Sequence, residues 1–217
     1  EVLDGIEERL RQSSYSLLLA CAQNDAAREE ECVRDFITRN VSGVIVVSPN
    51  TEMAVSDFYE NTAARLPLVF VNSAREVAGI SYVTSGTFHE EDIVNIGEGN
   101  RIETVENTMF ILMDMMLGFA PTAIFCCNDL MAMGALNACQ RMGRRVPQDI
   151  SLIGYDNTAL SRYTAPNLTT VDQHMGDLGR EAARLMLAKI EDGVTENVVL
   201  ANTVVERGTT GFRVEES

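Results

Sequence analysis

The sequence predicts an α/β protein built from mostly parallel sheets flanked by helices. Continuous apolar runs alternate with segments of helical spacing along nearly the whole chain. Strands that are apolar at every position, rather than at every second one, are typical of parallel sheets covered on both faces. The alternation runs twice, and 217 residues with 46% hydrophobic residues suffice for one large or two modest cores. Two α/β lobes are therefore expected.

The amino-terminal elements follow from the spacing of the apolar residues. Helical spacing marks residues 2–10, residues 32–37 and the segment through Phe58 and Tyr59. Continuous apolar runs predict strands over residues 15–21 (YSLLLAC), 43–47, 68–71 and 80–84.

The carboxy-terminal elements repeat this rhythm after an irregular junction. The strand at 80–84 is followed by SGTFHEED and a short apolar run at 93–96, although parallel neighbours need a crossover of roughly a dozen or more residues. Either residues are missing from this numbering or the chain is shorter here, and the first interpretation is favoured. Beyond the junction the pattern predicts helices over 103–117, 130–142 and 176–190, strands over 123–127 and 150–153, and a last strand through Val198, Val199, Val204 and Val205.

Residues 144–171 (RRVPQDISLIGYDNTALSRYTAPNLTTV) form the most informative motif. They comprise a helix end, a turn marked by Pro147 and a buried strand, after which GYDN stands at the carboxyl end, where open α/β sheets hold ligands. The motif closely resembles the effector-binding domains of the lactose repressor/galactose repressor (LacI/GalR) family of bacterial transcription regulators. The shared positions are Val146, Pro147, Asp149, Ile150, Ser151, Gly154, Tyr155, Asp156, Pro166, Leu168, Thr169 and Thr170.

The resemblance implies a two-lobed fold of the periplasmic-binding-protein-like type I, with crossover strands at the hinge. Residues 1–83 and about 174–200 would form the amino-terminal lobe, and residues 84–173 and about 201–217 the carboxy-terminal lobe. Relatives carry further elements near Ser85, and a helix-turn-helix headpiece at the front, that this sequence lacks.

The function implied is that of a ligand-responsive transcriptional regulator, expected to be a repressor. A small polar effector, a sugar or a nucleoside, would control operator DNA binding allosterically through the headpiece absent here. The family also implies a homodimer, or a tetramer, that pairs through helices 2–10 and 130–142 and through residues 159–163. No cofactor is expected, and the location expected is the cytoplasm.

Asp156 is the leading candidate for a ligand residue. A carboxylate at the carboxyl end of a strand can accept two hydrogen bonds from neighbouring hydroxyls, although Asp156 or Asn157 could equally form a turn. The resemblance favours the ligand role. In NDLMAMGAL, Asn128 resembles the family's pocket asparagine, whereas Asp129 is predicted to be the N-cap of the helix that follows.

Three further candidates complete the predicted site. Asn72 closes the strand over 68–71, where many relatives have an aspartate. Gln173 matches a position where the family's chain crosses between lobes, and it could either touch ligand or be an exposed residue at a helix start. Ser48 ends the strand over 43–47 and could face the cleft or form a plain turn.

Enzymatic and metal functions find no support in the sequence. It lacks G-x-x-x-x-G-K-[ST] and G-x-S-x-G, and it has only two histidines to serve as bases. His89 stands beside consecutive acidic residues in a predicted loop, which is more typical of solvated surface than of a metal site. The alternative function is a periplasmic sugar-binding protein of the same fold, feeding a transporter or chemoreceptor, because fold alone does not separate the two.

The cysteines favour the regulator over the periplasmic binding protein, because reduced thiols are typical of the cytoplasm. Five cysteines without C-x-x-C spacing predict buried, reduced thiols. No apolar run approaches the roughly 20 residues of a membrane-spanning helix, so no membrane partner is expected.

The net charge of −15 generates a first prediction, because duplex binding is dominated by Lys and Arg that neutralise phosphates. Residues 1–217 alone should show no specific affinity for duplex DNA at physiological salt, whereas the protein with a headpiece should bind its operator. A mobility-shift assay measures both. Tight, sequence-selective binding by residues 1–217 alone would contradict this prediction.

Overall fold

The computed structural model of the protein describes residues 1–23, 25–47, 57–72, 78–85 and 122–212. The chain forms two compact units, one of Glu1–Gly86 with His174–Ala201 and the other of Thr87–Gln173 with Asn202–Ser217. In chain order the elements are α1 (Val2–Leu10), α2 (Ala26–Thr38), β1 (Val44–Val47), α3 (Asp57–Ala63), β2 (Leu68–Val71), β3 (Ser81–Ser85), β4 (Ala123–Phe125), α4 (Asp129–Arg141), β5 (Ser151–Tyr155), a 3₁₀ helix (Ala159–Arg162), β6 (Thr169–Asp172), α5 (Met175–Asp192), β7 (Asn197–Leu200) and β8 (Thr203–Val205).

The first unit contains a parallel sheet with the strand order β1-β2-β3-β7. One apolar cluster joins β2 and β3 to α5 through residues such as Val69 and Leu178. Another joins β1 and β2 to α2 and α3 through residues such as Val44 and Tyr59. The sheet is therefore covered on both faces, and the predicted α/β class with mostly parallel sheets is confirmed.

Helix α1 is fixed to α5 by direct backbone contact. A Cβ atom on Gly5 would lie 2.1 Å from the carbonyl oxygen of Gly176, and one on Gly179 would lie 2.0 Å from that of Val2. Only glycine at these two positions permits so close an approach. The position of α1 against the sheet is thus set by its packing on α5.

The predicted strand over residues 15–21 is wrong for this structure. The segment has no regular secondary structure, and Leu17, Leu18 and Leu19 are 39%, 48% and 68% exposed. A continuous apolar run is buried as a strand only where a neighbour supplies backbone hydrogen bonds. Within the described part of the chain, β1 pairs only with β2, and no strand pairs with this segment.

The second unit contains three parallel strands, β4, β5 and β6, with β8 antiparallel to β6 at the edge. Its core lies between this sheet and α4 and includes Leu136, Leu152 and Leu168. The single strand predicted through Val198 to Val205 is wrong: β7 belongs to the first sheet and β8 to the second. The polar Asn202 separates the two apolar pairs that were joined in the prediction.

The cysteines only partly match their prediction. Cys126 and Cys139 are buried, and burial is the main cause that raises the pKa of the Cys126 thiol to about 12. Cys21 and Cys127 are exposed, contrary to expectation, because Cys21 ends the uncovered segment and Cys127 lies beyond the end of β4.

Two predicted elements, the strand at 93–96 and the helix at 103–117, lie outside the described residues, as does His89. Among the helices that the structure does describe, none has the length and apolar character needed to cross a membrane.

Candidate functional site

Three of the predicted site residues follow the three parallel strands of the second unit. Asn128 comes after β4, Asp156 after β5 and Gln173 after β6, so all three stand at the carboxyl edge of one sheet. The structure joins two of them directly: Nε2 of Gln173 donates to Oδ1 of Asp156 at 2.5 Å. This edge is where open α/β sheets bind ligands.

The backbone at Asp156 has an unusual conformation. Its φ is +104°, a region that residues with a Cβ atom rarely occupy, and the next residue, Asn157, also has a positive φ of +50°. The amide of Asp156 donates to the carbonyl oxygen of Val171 at 2.9 Å, which closes the end of β5 onto β6. Such conformations persist only where the surroundings hold them, and they concentrate at ligand-binding sites.

Hydrogen bonds of Asn157 hold this turn in its conformation. Its Nδ2 donates to Oδ2 of Asp172 at 2.9 Å, its Oδ1 accepts from a terminal nitrogen of Arg207 at 2.6 Å, and its amide donates to Oγ1 of Thr170 at 3.3 Å. The sequence left open whether Asp156 or Asn157 forms the turn, and in the structure Asn157 makes the hydrogen bonds that stabilise it. This leaves the neighbouring Asp156 carboxylate fixed at the sheet edge.

Arg207 stabilises the turn after β5, a role that the sequence did not indicate. The other terminal nitrogen of this half-buried side chain donates to the carbonyl oxygen of Leu168 at 2.6 Å and to Oγ of Ser161 at 3.0 Å. It therefore connects the turn after β5, the 3₁₀ helix and the start of β6. No local pattern marks it, because its partners lie 39 to 50 residues earlier in the chain.

Asp129 was predicted to be the N-cap of α4, and this prediction is wrong. The carboxylate is fully buried and accepts three hydrogen bonds: from the amide and Oγ1 of Thr158, at 2.6 and 2.9 Å, and from Oγ1 of Thr170 at 2.5 Å. It thus ties the start of α4 to the turn after β5 and to β6.

Gly154 of the GYDN sequence leaves room for that carboxylate. A Cβ atom at this position would lie 2.4 Å from Oδ1 of Asp129 and 2.9 Å from a methyl group of Leu168. The glycine two residues before Asp156 therefore serves the buried network rather than the ligand.

Asn128 is the N-cap of α4. It has an extended backbone, and its Oδ1 accepts from the amide of Met131 at 2.8 Å. The prediction placed the cap one residue too late, because two adjacent polar residues at a helix start look equivalent in sequence. Its predicted contact with a ligand stays a prediction.

The two remaining candidates belong to the first unit. Asn72 ends β2 in a left-handed conformation with φ +60°, its amide donates to the carbonyl oxygen of Val83, and its buried Oδ1 finds no hydrogen-bond partner among the described residues. Ser48 lies outside the described residues. Over the ranges that the structure describes, no group of three or more His, Cys, Asp or Glu residues is arranged to hold a metal ion.

The chain is similar to known proteins over most of its length. A family described as a periplasmic binding protein-like domain matches residues 74–210. The HTH-type transcriptional repressor PurR of Klebsiella pneumoniae is 30% identical over 236 residues, which cover 88% of this chain and 69% of the relative. That alignment is longer than the 217 residues of this chain, so the relative carries residues with no counterpart here.

Solved structures show the same fold at lower identity. The lac repressor dimer bound to operator and the anti-inducer ONPF has a TM-score of 0.79 at 22% identity, covering 96% of this chain and 88% of that chain. A LacI family transcriptional regulator from Enterococcus faecium with bound ribose has a TM-score of 0.75 at 21% identity, covering 96% and 92%.

The Asp129 network generates the second prediction. Asp129→Ala leaves three donors without an acceptor in a buried site and should lower the free energy of unfolding by about 3 to 5 kcal/mol, well above the ~1 kcal/mol of a lost N-cap. Urea titration followed by circular dichroism measures the change. A loss near 1 kcal/mol would mean that the buried network contributes no more than a cap.

The third prediction separates capping from ligand contact at Asn128. Asn128→Asp retains an N-cap acceptor and should change the free energy of unfolding by less than about 0.5 kcal/mol, whereas Asn128→Ala should cost about 1 kcal/mol. Both variants lose the amide donor, so both should weaken effector binding if this amide contacts ligand. If Asn128→Asp binds effector as the wild type does, Asn128 acts only as a cap.

Proposed function

We propose that this chain, which belongs to the periplasmic binding protein-like family and within it to the LacI-type transcriptional regulators, binds its effector at the carboxyl edge formed by Asn128, Asp156 and Gln173. The observation that carries this proposal is the Asp156 carboxylate, held at a strand end by the Asn157 turn and hydrogen-bonded to Gln173. The chain is the effector-binding core of a ligand-responsive repressor.

The effector proposed is a small polyhydroxylated molecule, a sugar or the ribose of a nucleoside. An ionised carboxylate accepts hydrogen bonds from two adjacent hydroxyls, and the amide of Gln173 both donates and accepts. The ribose bound to the Enterococcus faecium regulator supports this chemistry. Asn72 and Ser48 are proposed to contribute contacts from the first unit.

No bond needs to be made or broken for this function. A ligand shifts a conformational equilibrium only by its differential affinity for the two states, and the regulator's states differ in operator affinity. The relatives named in the comparisons are repressors, which supports a regulatory rather than an enzymatic role.

Operator binding is proposed to reside in a headpiece outside these residues. The net charge of −15 disfavours duplex binding by this core, and the Klebsiella relative is named an HTH-type repressor. The protein is accordingly proposed to act in the cytoplasm, with the operator. The alternative of a periplasmic sugar-binding protein shares the fold, but the named relatives favour the regulator.

The chain is proposed to act as a homodimer. The lac repressor structure in the comparison is a dimer bound to operator. On the predicted dimer surface of the second unit, the side chains of Leu160 and Tyr163 are 55% and 82% exposed and are therefore accessible to a second copy. Assembly beyond the dimer, to a tetramer, is part of the same proposal and rests on the family resemblance alone.

The fourth prediction tests the ligand site. Asp156→Ala should reduce effector affinity by about 2 to 4 kcal/mol, because the effector's hydroxyl groups would lose their charged acceptor. Titration calorimetry, first with ribose and then with a panel of sugars and nucleosides, measures the change.

A matched control lies in the same unit. Asp149 lies just before β5, the strand that Asp156 follows, and its carboxylate binds the side chain of Arg145 at the surface. Asp149→Ala should leave effector affinity unchanged. Equal binding by Asp156→Ala and wild type would remove the proposed site.

A further inference from the structure

A groove runs between α2 and α3 of the first unit. It encloses about 740 Å³ and is lined by the end of α2, the turn that follows it, α3 and residues 65–66. None of the candidate effector residues is among the residues that line it. A groove of this volume accommodates a small organic ligand.

Apolar side chains form part of the groove wall. Val41, Phe58 and Leu66 line the groove and are half-buried, because they also pack on the apolar cluster that joins β1 and β2 to α2 and α3. Ile37 of α2, which is 43% exposed, extends this apolar surface. An apolar group bound in the groove would therefore remove accessible apolar surface from water, against side chains that the core already holds in place.

The charged residues that line the groove are both arginines, in a chain whose net charge is −15. Arg34 lies over the ring of Phe58, with its Cζ 4.4 Å from the ring centroid, and one terminal nitrogen contacts Oε2 of Glu30 at 3.3 Å. This single long contact leaves most of the N–H donors of the guanidinium available. Within the described ranges, the side chain of Arg65 makes no hydrogen bond or ion pair. The groove thus offers two cationic groups beside an apolar surface.

The chemistry of the lining residues selects among classes of ligand. A metal ion would find no carboxylate among the described residues that line the groove. A nucleic acid would be repelled by the net charge of −15, which two arginines do not offset. An organic anion with one charge and an aromatic body matches both features, because a guanidinium binds a carboxylate in a bidentate geometry and also stacks on aromatic rings.

We propose that the groove between α2 and α3 binds a small aromatic carboxylate, as a second ligand site in addition to the effector site. Arg65 and Arg34 hold the carboxylate, and the ring lies against Phe58 and Ile37. Such a ligand contacts both helices at once and binds only the folded chain, so it stabilises the first unit by mass action. The inference rests on the groove alone and does not depend on the proposed effector.

The test titrates the intact protein with 3-phenylpropionate and follows the backbone amides by NMR. The amides of residues 34–41 and 58–66 should shift with a Kd of roughly 1 to 10 mM, the affinity expected for a ligand of about eleven non-hydrogen atoms. Acetate lacks the aromatic body and 3-phenylpropanol lacks the charge, so each should bind at least about tenfold more weakly. Absence of shifts in these two segments, or equal binding of 3-phenylpropanol, would overturn the proposal.

Matched arginine variants separate the groove from general charge attraction. Arg39 lies on the same helix as Arg34 but pairs with Asp35 at 2.7 Å and does not line the groove. Arg65→Gln should weaken the binding of 3-phenylpropionate roughly tenfold, whereas Arg39→Gln, which removes the same charge, should change it by less than about twofold. Equal weakening in the two variants would overturn the proposal. Asp156→Ala should bind the probe as the wild type does, and loss of binding in this variant would assign the probe to the effector site and also overturn it.

Discussion

The second unit depends on one buried carboxylate. Asp129 stands at the first turn of α4 and accepts hydrogen bonds from Thr158 and Thr170, which belong to the turn after β5 and to β6. A buried charge is costly unless it is fully hydrogen-bonded, and here three donors meet two oxygens. The same group requires Gly154, because any side chain there would collide with it. One interaction therefore fixes a helix, a strand and the turn that carries Asp156.

The candidate site follows from that constraint through a second layer of contacts. Asn157 and Arg207 bind the turn to β6 and to the 3₁₀ helix, and Asp156 is left in a backbone conformation that it would not adopt alone. Its carboxylate then has little freedom to reorient on ligand binding. Preorganisation of this kind reduces the ordering cost of binding, so affinity comes from a few fixed groups rather than from a large contact area. The hydrogen bond from Gln173 matters for the same reason, since the chain passes into the first unit at the next residue.

Local patterns predicted most of the described elements and placed the candidate residues at strand ends, but they did not predict the structural roles of these residues. The strand at 68–71 was predicted with its observed bounds because Pro67 and Asn72 delimit a continuous apolar run. Asn128, Asp156 and Gln173 could be placed at strand ends for the same reason. The cap role predicted for Asp129 belongs to Asn128, and the burial of Asp129 could not be predicted because it depends on Thr170, 41 residues away. Arg207 was missed entirely because all its side-chain partners are distant in sequence.

The disagreement at residues 15–21 differs in kind from these errors. There the sequence pattern is strong and the structure does not realise it, although the same pattern was correct for β1, β2 and β3. Those three strands each have a paired neighbour in the sheet, whereas no strand among the described residues pairs with residues 15–21. Leu17, Leu18 and Leu19 are exposed although the run has the composition of an interior strand. The apolar composition of this run therefore predicts a strand, but the composition alone does not supply the paired neighbour that a strand needs.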